Sequence, residues 1–204
     1  MNYLEFKNKM FDLVCFSIDQ VYAWQPGFDR NNLSRWIKKG LLIRLRQGYF
    51  SFPEFKNKSD FIYYVANRIY RPSYISLHTA LAFYGIIPES VVQITSITSL
   101  KTAFFKNELG EYTYKSVNEN LMFGYDLKPF DGRTLQFAGA EKALLDLLYL
   151  YPDYNTETDL LDLRLDNDIL NENFNKKLLM EYTIKFKNRT LERRVKLLLK
   201  AYKL

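Results

Sequence analysis

Apolar residues at the start of the chain recur at helical spacing. Phe6, Met10, Leu13 and Val14 fall at i, i+4, i+7 and i+8, with Lys7 and Lys9 facing away, so a helix is expected over residues 2–16. Ser17 is a good N-cap residue, and a short second helix is expected over residues 18–24. Pro26-Gly27 then turns the chain. After Asp29, a second N-cap, Leu33, Trp36 and Ile37 sit at i, i+3 and i+4 on one face. Arg30, Asn31, Asn32, Ser34, Arg35, Lys38 and Lys39 fill the rest of that helix, and Gly40 ends it by accepting a left-handed backbone without Cβ strain. Residues 41–46 (Leu-Leu-Ile-Arg-Leu-Arg) read as a strand, Gln47-Gly48 as a turn, and residues 49–52 as the returning strand. Helix, short helix, turn, helix, hairpin is the order of a winged helix-turn-helix.

Pro53 and the polar run Lys56-Asn57-Lys58-Ser59 mark a boundary. The expected organisation is a winged helix-turn-helix over residues 1–55 and a larger mixed α+β domain over residues 59–204 with a helical C-terminal tail. The fold class is therefore α+β. In the second domain a helix is expected over residues 60–70, stopped by Pro72, and another over residues 77–84, closed by Gly85. The segment 73–76 reads as the lead into that second helix. The β-branched run 91–98 predicts a strand, with further strands around 102–105, 112–117, 121–125 and 134–137. Turns are expected at Leu109-Gly110 and Asp131-Gly132. Ala143, Leu144, Leu147, Leu148 and Tyr151 line one face of a strong helix over 140–151, which Pro152 ends. The remainder reads as helices split by Asn/Asp-rich turns. The last, over 190–202, turns Leu191, Val195, Leu198 and Leu199 inward and Arg193, Arg194, Lys196 and Lys200 elsewhere.

Charge adds a partner to this picture. The formal net charge is +6, but its distribution matters more than its total. Residues 1–58 carry ten Lys/Arg against five Asp/Glu, residues 59–184 eleven against seventeen, and residues 185–204 eight against one. Two basic ends flank an acidic middle. Basic segments neutralise phosphates and release counterions, the main source of affinity for nucleic acid. In a winged helix the third helix enters the major groove. Arg30, Asn31, Ser34 and Arg35 are the candidates for reading bases, because Arg can fork to guanine and Asn can pair with adenine. Lys38, Lys39, Arg44 and Arg46 suit phosphates, and Asn32 and Gln47 complete the candidate DNA-binding set. The partner so implied is double-stranded DNA.

The remaining chemistry is sparse. Cys15 is the lone cysteine, so no intramolecular disulfide forms, and among Phe11, Val14 and Phe16 it reads as a buried small hydrophobe. His78 is the lone histidine and sits on an apolar helix. Neither zinc spacing nor a glycine-rich phosphate loop occurs, and no cofactor is expected. A metal-dependent nuclease would need converging carboxylates, and Glu141, Lys142 and Asp146 come closest. Glu141 and Lys142 are neighbours at a helix start and point different ways. The expectation is a protein that is not an enzyme, with a nuclease as the less favoured alternative. No signal peptide and no membrane-spanning run is read, and the expected compartment is the cytoplasm.

The second domain resembles a known family. The stretch 72–89 (PSYISLHTALAFYGIIPE), the strand Ile94-Thr95-Ser96-Ile97-Thr98, the helix 140–150 (AEKALLDLLYL) and the wing end Arg46-Gln47-Gly48-Tyr49-Phe50 are similar to the pattern of the AbiEi family of antitoxins. The resemblance runs in order from the wing to about Pro152. It implies an N-terminal winged helix joined to a larger α+β domain, and a protein that represses its own operon by binding inverted repeats in its promoter. It also implies a role in a type IV toxin–antitoxin system of phage abortive infection, counteracting a nucleotidyltransferase-type toxin without a stable complex. Ser76, Gly85, Pro88, Glu141 and Lys142 match the family's motif positions as caps, turns and helix starts. The family also places basic residues of its second domain near DNA, which would suit the cationic tail. The alternative within this fold is a stand-alone defence-associated regulator without a toxin partner.

Overall fold

The first helix is shorter than its apolar period suggests. In the computed structural model, which describes residues 2–88 and 92–204, α1 spans Tyr3–Met10, with the Asn2 side chain capping the Leu4 N–H at 3.1 Å. A 3-10 turn, Phe11–Leu13, follows, and Val14 takes φ +62° to reverse the chain. The expected helix over residues 2–16 therefore ends early, and Cys15–Ser17 forms strand β1 instead. β1 pairs antiparallel with Tyr49–Ser51, so its cause lies more than thirty residues along the chain.

Helix α2, Ile18–Trp24, starts where its cap demands. Ser17 accepts from the Gln20 N–H at 3.2 Å, and Gln20 reaches back to the Ser17 N–H at 2.8 Å, a reciprocal capping box. Helix α3 spans Asn31–Lys38, and the hairpin strands β2 and β3 span Ile43–Arg46 and Tyr49–Ser51. The small sheet has the order β1-β3-β2. Helix, strand, two helices and a hairpin pairing back onto that strand is the winged-helix architecture. Its core is aromatic: Phe6 lies 4.6 Å from Trp36, 5.6 Å from Phe16 and 5.6 Å from Phe28, ring centroid to centroid.

The larger unit holds a six-stranded mixed sheet. Its elements are α4 (Phe61–Ile69), β4 (Ser73–Ile75), α5 (Leu77–Phe83), β5 (Gln93–Thr98), β6 (Ala103–Asn107), β7 (Gly110–Ser116), β8 (Tyr125–Phe130), β9 (Arg133–Ala138) and α6 (Ala140–Leu150). The strand order is β6-β7-β5-β4-β9-β8, with β4–β9 and β5–β7 parallel and the other pairs antiparallel. Glu89 of the quoted motif and Val91 of the predicted strand lie outside the described residues. β4, expected only as a lead into a helix, is a central strand with all three residues buried. The strand expected at 121–125 is a 3-10 turn, Glu119–Leu121, followed by Gly124 at φ +71°, and pairing begins only at Tyr125. β8 tolerates Pro129 because it is an edge strand, where a missing N–H leaves no ladder bond unmade.

Four helices complete the chain: α7 (Glu157–Leu161), α8 (Asn167–Asn173), α9 (Lys176–Lys185) and α10 (Arg189–Ala201). α9 and α10 close over α6, and α6 packs against α5. Leu191, Val195 and Leu198 point inward from α10 as the period predicts. Arg194 differs from expectation. It is buried, and its Nη1 donates to the Leu148 carbonyl at 2.9 Å. Among the described residues no helix is long and apolar enough to cross a membrane.

Candidate nucleic-acid interface

The apolar side of α3 sets the direction of its polar side. Leu33 and Trp36 are buried against α1 and the Phe6 cluster, which turns Asn31, Ser34, Arg35 and Lys38 outward, all exposed. The start of α3 is fixed by Asp29, whose carboxylate accepts the Asn31 N–H at 2.9 Å. Gly40, at φ +68°, releases the chain into β2.

Arg30 and Ser34 stand one turn apart beside the wing. Together with Arg44 and Gln47 they rim a cavity of about 430 Å³ whose floor is Leu33, Gly48 and Phe50. Four of the ten predicted residues therefore meet at one groove between α3 and the hairpin. Asn31, Arg35, Lys38 and Lys39 are exposed along α3 outside that groove. Asn32 is half-buried and does a different job. Its Oδ1 accepts from Arg35 Nη2 at 2.5 Å, and the Asp29 carboxylate stands 3.6 Å from the same nitrogen. Asn32 and Asp29 hold Arg35 in one orientation while leaving it open to solvent.

Arg46 does not share this surface. Its guanidinium lies over the rings of Phe105, Tyr70 and Tyr49 at 4.6, 5.3 and 5.6 Å, and Nη1 donates to the Ile69 carbonyl. A regular strand would place Arg44 and Arg46 on the same face. The ladder slips between Arg44 and Arg46, with Arg44 opposite Phe50 and Arg46 opposite Tyr49. Such a bulge breaks the two-residue period and re-aims the following side chain. Arg46 thus ties the wing to the larger unit. Asn107 of β6 makes a second tie from the larger unit, its Nδ2 donating to the Leu45 carbonyl at 2.9 Å. Arg46→Ala is expected to lower stability by about 1–3 kcal/mol through the orphaned carbonyl and lost cation–π contacts. Urea denaturation checks this, and the salt dependence of duplex binding is expected to stay unchanged.

The carboxylates weighed for metal chemistry have protein partners. Asp146 is fully buried, paired with Lys142 one turn away, and accepts from Ser76 Oγ at 2.7 Å and Tyr74 OH at 2.9 Å. Glu141 Oε1 accepts the Asn175 N–H at 2.6 Å. Among the described residues, no group of three or more His, Cys, Asp or Glu side chains could hold a metal ion. The signal for the Lys142–Asp146 pair was present as an i, i+4 spacing. Its burial under Tyr74 was not, because Tyr74 belongs to the strand that sequence reading missed. Gly85, at φ +72°, closes α5 where a glycine stop was expected.

No protein-family model matches the chain, and no curated protein matches its sequence.

Proposed function

We propose that this protein binds duplex DNA through α3 and its wing, represses the promoter of its own operon, and serves as the antitoxin of a type IV toxin–antitoxin pair. The observation that carries the DNA reading is the groove in which Arg30 at the start of α3 and Ser34 within it line one cavity with Arg44 and Gln47 of the hairpin. A helix of the winged-helix type seats in the major groove while the wing follows the backbone. Arg30 and Ser34 then lie near base edges, Arg35 is held ready by Asn32, and Arg44, Lys38 and Lys39 meet phosphates. The antitoxin part rests on the resemblance of the motifs around residues 72–89 and 140–150 to the AbiEi family, and it brings a nucleotidyltransferase-type toxin as functional partner.

Gel-shift titration on the upstream promoter and on a scrambled duplex, at several salt concentrations, tests the first part. Binding is expected to weaken linearly in log–log form with salt, with a slope of about −0.9 per phosphate neutralised. No shift even in dilute buffer would sink the DNA reading. Co-expression with the product of an adjacent nucleotidyltransferase-type gene tests the second part. Restored growth without a co-purifying complex supports the antitoxin, and absence of such a gene favours the stand-alone regulator.

A further inference from the structure

A second concentration of positive charge lies on the other side of the wing. Arg68 near the end of α4 and Arg71 just beyond it line a cavity of about 160 Å³, together with Cys15, Ser17, Gln20 and Tyr49. Both guanidinium groups are held by their Nε atoms. Arg68 Nε donates to Tyr64 OH at 2.8 Å, and Arg71 Nε donates to the Asn67 carbonyl at 3.3 Å. The Nη forks of the two residues have no protein acceptor among the described residues. No carboxylate among the described residues lies within ion-pair distance of either. Elsewhere the cations of this protein often find acids: Lys7 with Glu54, Lys56 with Glu108, Lys58 with Asp131 and Lys106 with Glu111.

Two like charges side by side without a counter-charge repel each other, and their proximity is stabilised when an anion sits between them. Partial burial of its guanidinium, and after it the neighbouring Arg68 charge, pull Arg71 below its ordinary pKa. The rest of the lining adds no negative charge. Burial pushes the Cys15 thiol up to about 12, and Ser17, Gln20 and Tyr49 are uncharged hydrogen-bonding groups. The cavity is smaller than the roughly 300–1,000 Å³ of sites that enclose whole small molecules, which suits a single oxyanion head group. Paired guanidinium forks are the side-chain arrangement best matched to phosphate oxygens.

We propose that Arg68 and Arg71 form a phosphate-binding pocket at the seam between the wing and the larger unit. Its occupant is a phosphate group, drawn either from the backbone of a bound duplex or from a free phosphorylated compound. The first source rests on the DNA reading above; the second does not.

Thermal unfolding of the full chain in inorganic phosphate, against chloride at matched ionic strength, tests the pocket. The wild-type Tm is expected to rise with phosphate and to saturate. Arg71→Gln is expected to weaken the phosphate response at least tenfold. Arg71→Lys, which keeps the charge but loses the fork, is expected to fall between. Arg71 is exposed, so these variants are expected to fold, and their circular-dichroism spectra check this. Equal responses to phosphate and chloride, or equal responses of wild type and Arg71→Gln, would overturn the proposal. Duplex titration identifies the source. If the backbone supplies the phosphate, inorganic phosphate competes with DNA and Arg71→Gln flattens the salt dependence by about one unit of slope. If a free compound supplies it, phosphate binds equally with and without duplex. A protein that ignores DNA yet keeps an Arg71-dependent phosphate response would refute the DNA reading and leave the pocket standing.

Discussion

Lys142→Met is expected to destabilise the protein by about 3–5 kcal/mol, because it leaves a buried charge without its partner. Lys142 and Asp146 form a fully buried pair on α6. Lys142 Nζ also donates to Tyr74 OH at 2.7 Å, and its ammonium lies 5.0 to 5.3 Å from the ring centroids of Phe123, Phe186 and Tyr74. Burial pulls Lys142 down and pushes Asp146 up from their ordinary pKa values, and the contact between them works against both shifts. Removing the lysine leaves a carboxylate sealed from water with only two hydroxyls to satisfy it. Against a total stability of roughly 5–15 kcal/mol, that loss is large enough to leave part of the chain unfolded. The double variant Lys142→Met/Asp146→Asn removes the charge as well and is expected to recover most of the stability. Urea midpoints of wild type, single and double variants decide the matter. Equal losses in single and double variants would show that packing around the lysine, and not its charge, is what α6 depends on.

Arg35→Ala is expected to weaken binding to the cognate promoter by about 1–3 kcal/mol, roughly 5- to 150-fold, and to weaken binding to a scrambled duplex much less. Arg35 is exposed yet oriented by Asn32 and Asp29. A guanidinium already held in place loses less freedom when it forks onto a guanine edge, so its contribution falls on the base-reading side. Lys39, at the exposed end of α3, has no such restraint among the described hydrogen bonds and ion pairs. Lys39→Ala is therefore expected to weaken cognate and scrambled duplexes alike and to flatten the salt dependence by about one unit of slope. Parallel gel-shift titrations of both variants at several salt concentrations compare the two roles. Identical loss on both duplexes for both variants would refute the division between base-reading and phosphate-holding residues.

The wing brings one arginine to this groove, where sequence reading expected two. Arg44 faces Arg30 and Ser34, while Arg46 is spent on the seam with the larger unit. The consequence is mechanical as well as electrostatic. With Arg46 on the Ile69 carbonyl and Asn107 on the Leu45 carbonyl, the hairpin is tied to the larger unit at two points. The orientation of the wing against α3 is thus set partly by residues outside the winged helix.

Local pattern was enough to read the amphipathic face of α3, the Gly40 stop, the Gln47-Gly48 turn, the Ser17 cap and the inward faces of α6 and α10. Each depends on residues within one or two turns of one another, and helix periodicity and caps report such neighbours directly. The exposed face of α3 was legible for the same reason, whereas the meeting of Arg30 and Ser34 with Arg44 and Gln47 at one groove was not. The three-residue strands β1 and β4 were not, because a segment that short carries no period and becomes a strand only through partners at Ser51 and Thr98. The same holds for the slip that turns Arg46 away, for Tyr74 and Ser76 closing over Asp146, and for Arg71 meeting Ser17 and Tyr49 at one cavity. Strand pairing and charge placement join residues dozens of positions apart, and the geometry that joins them exists only once the chain has packed.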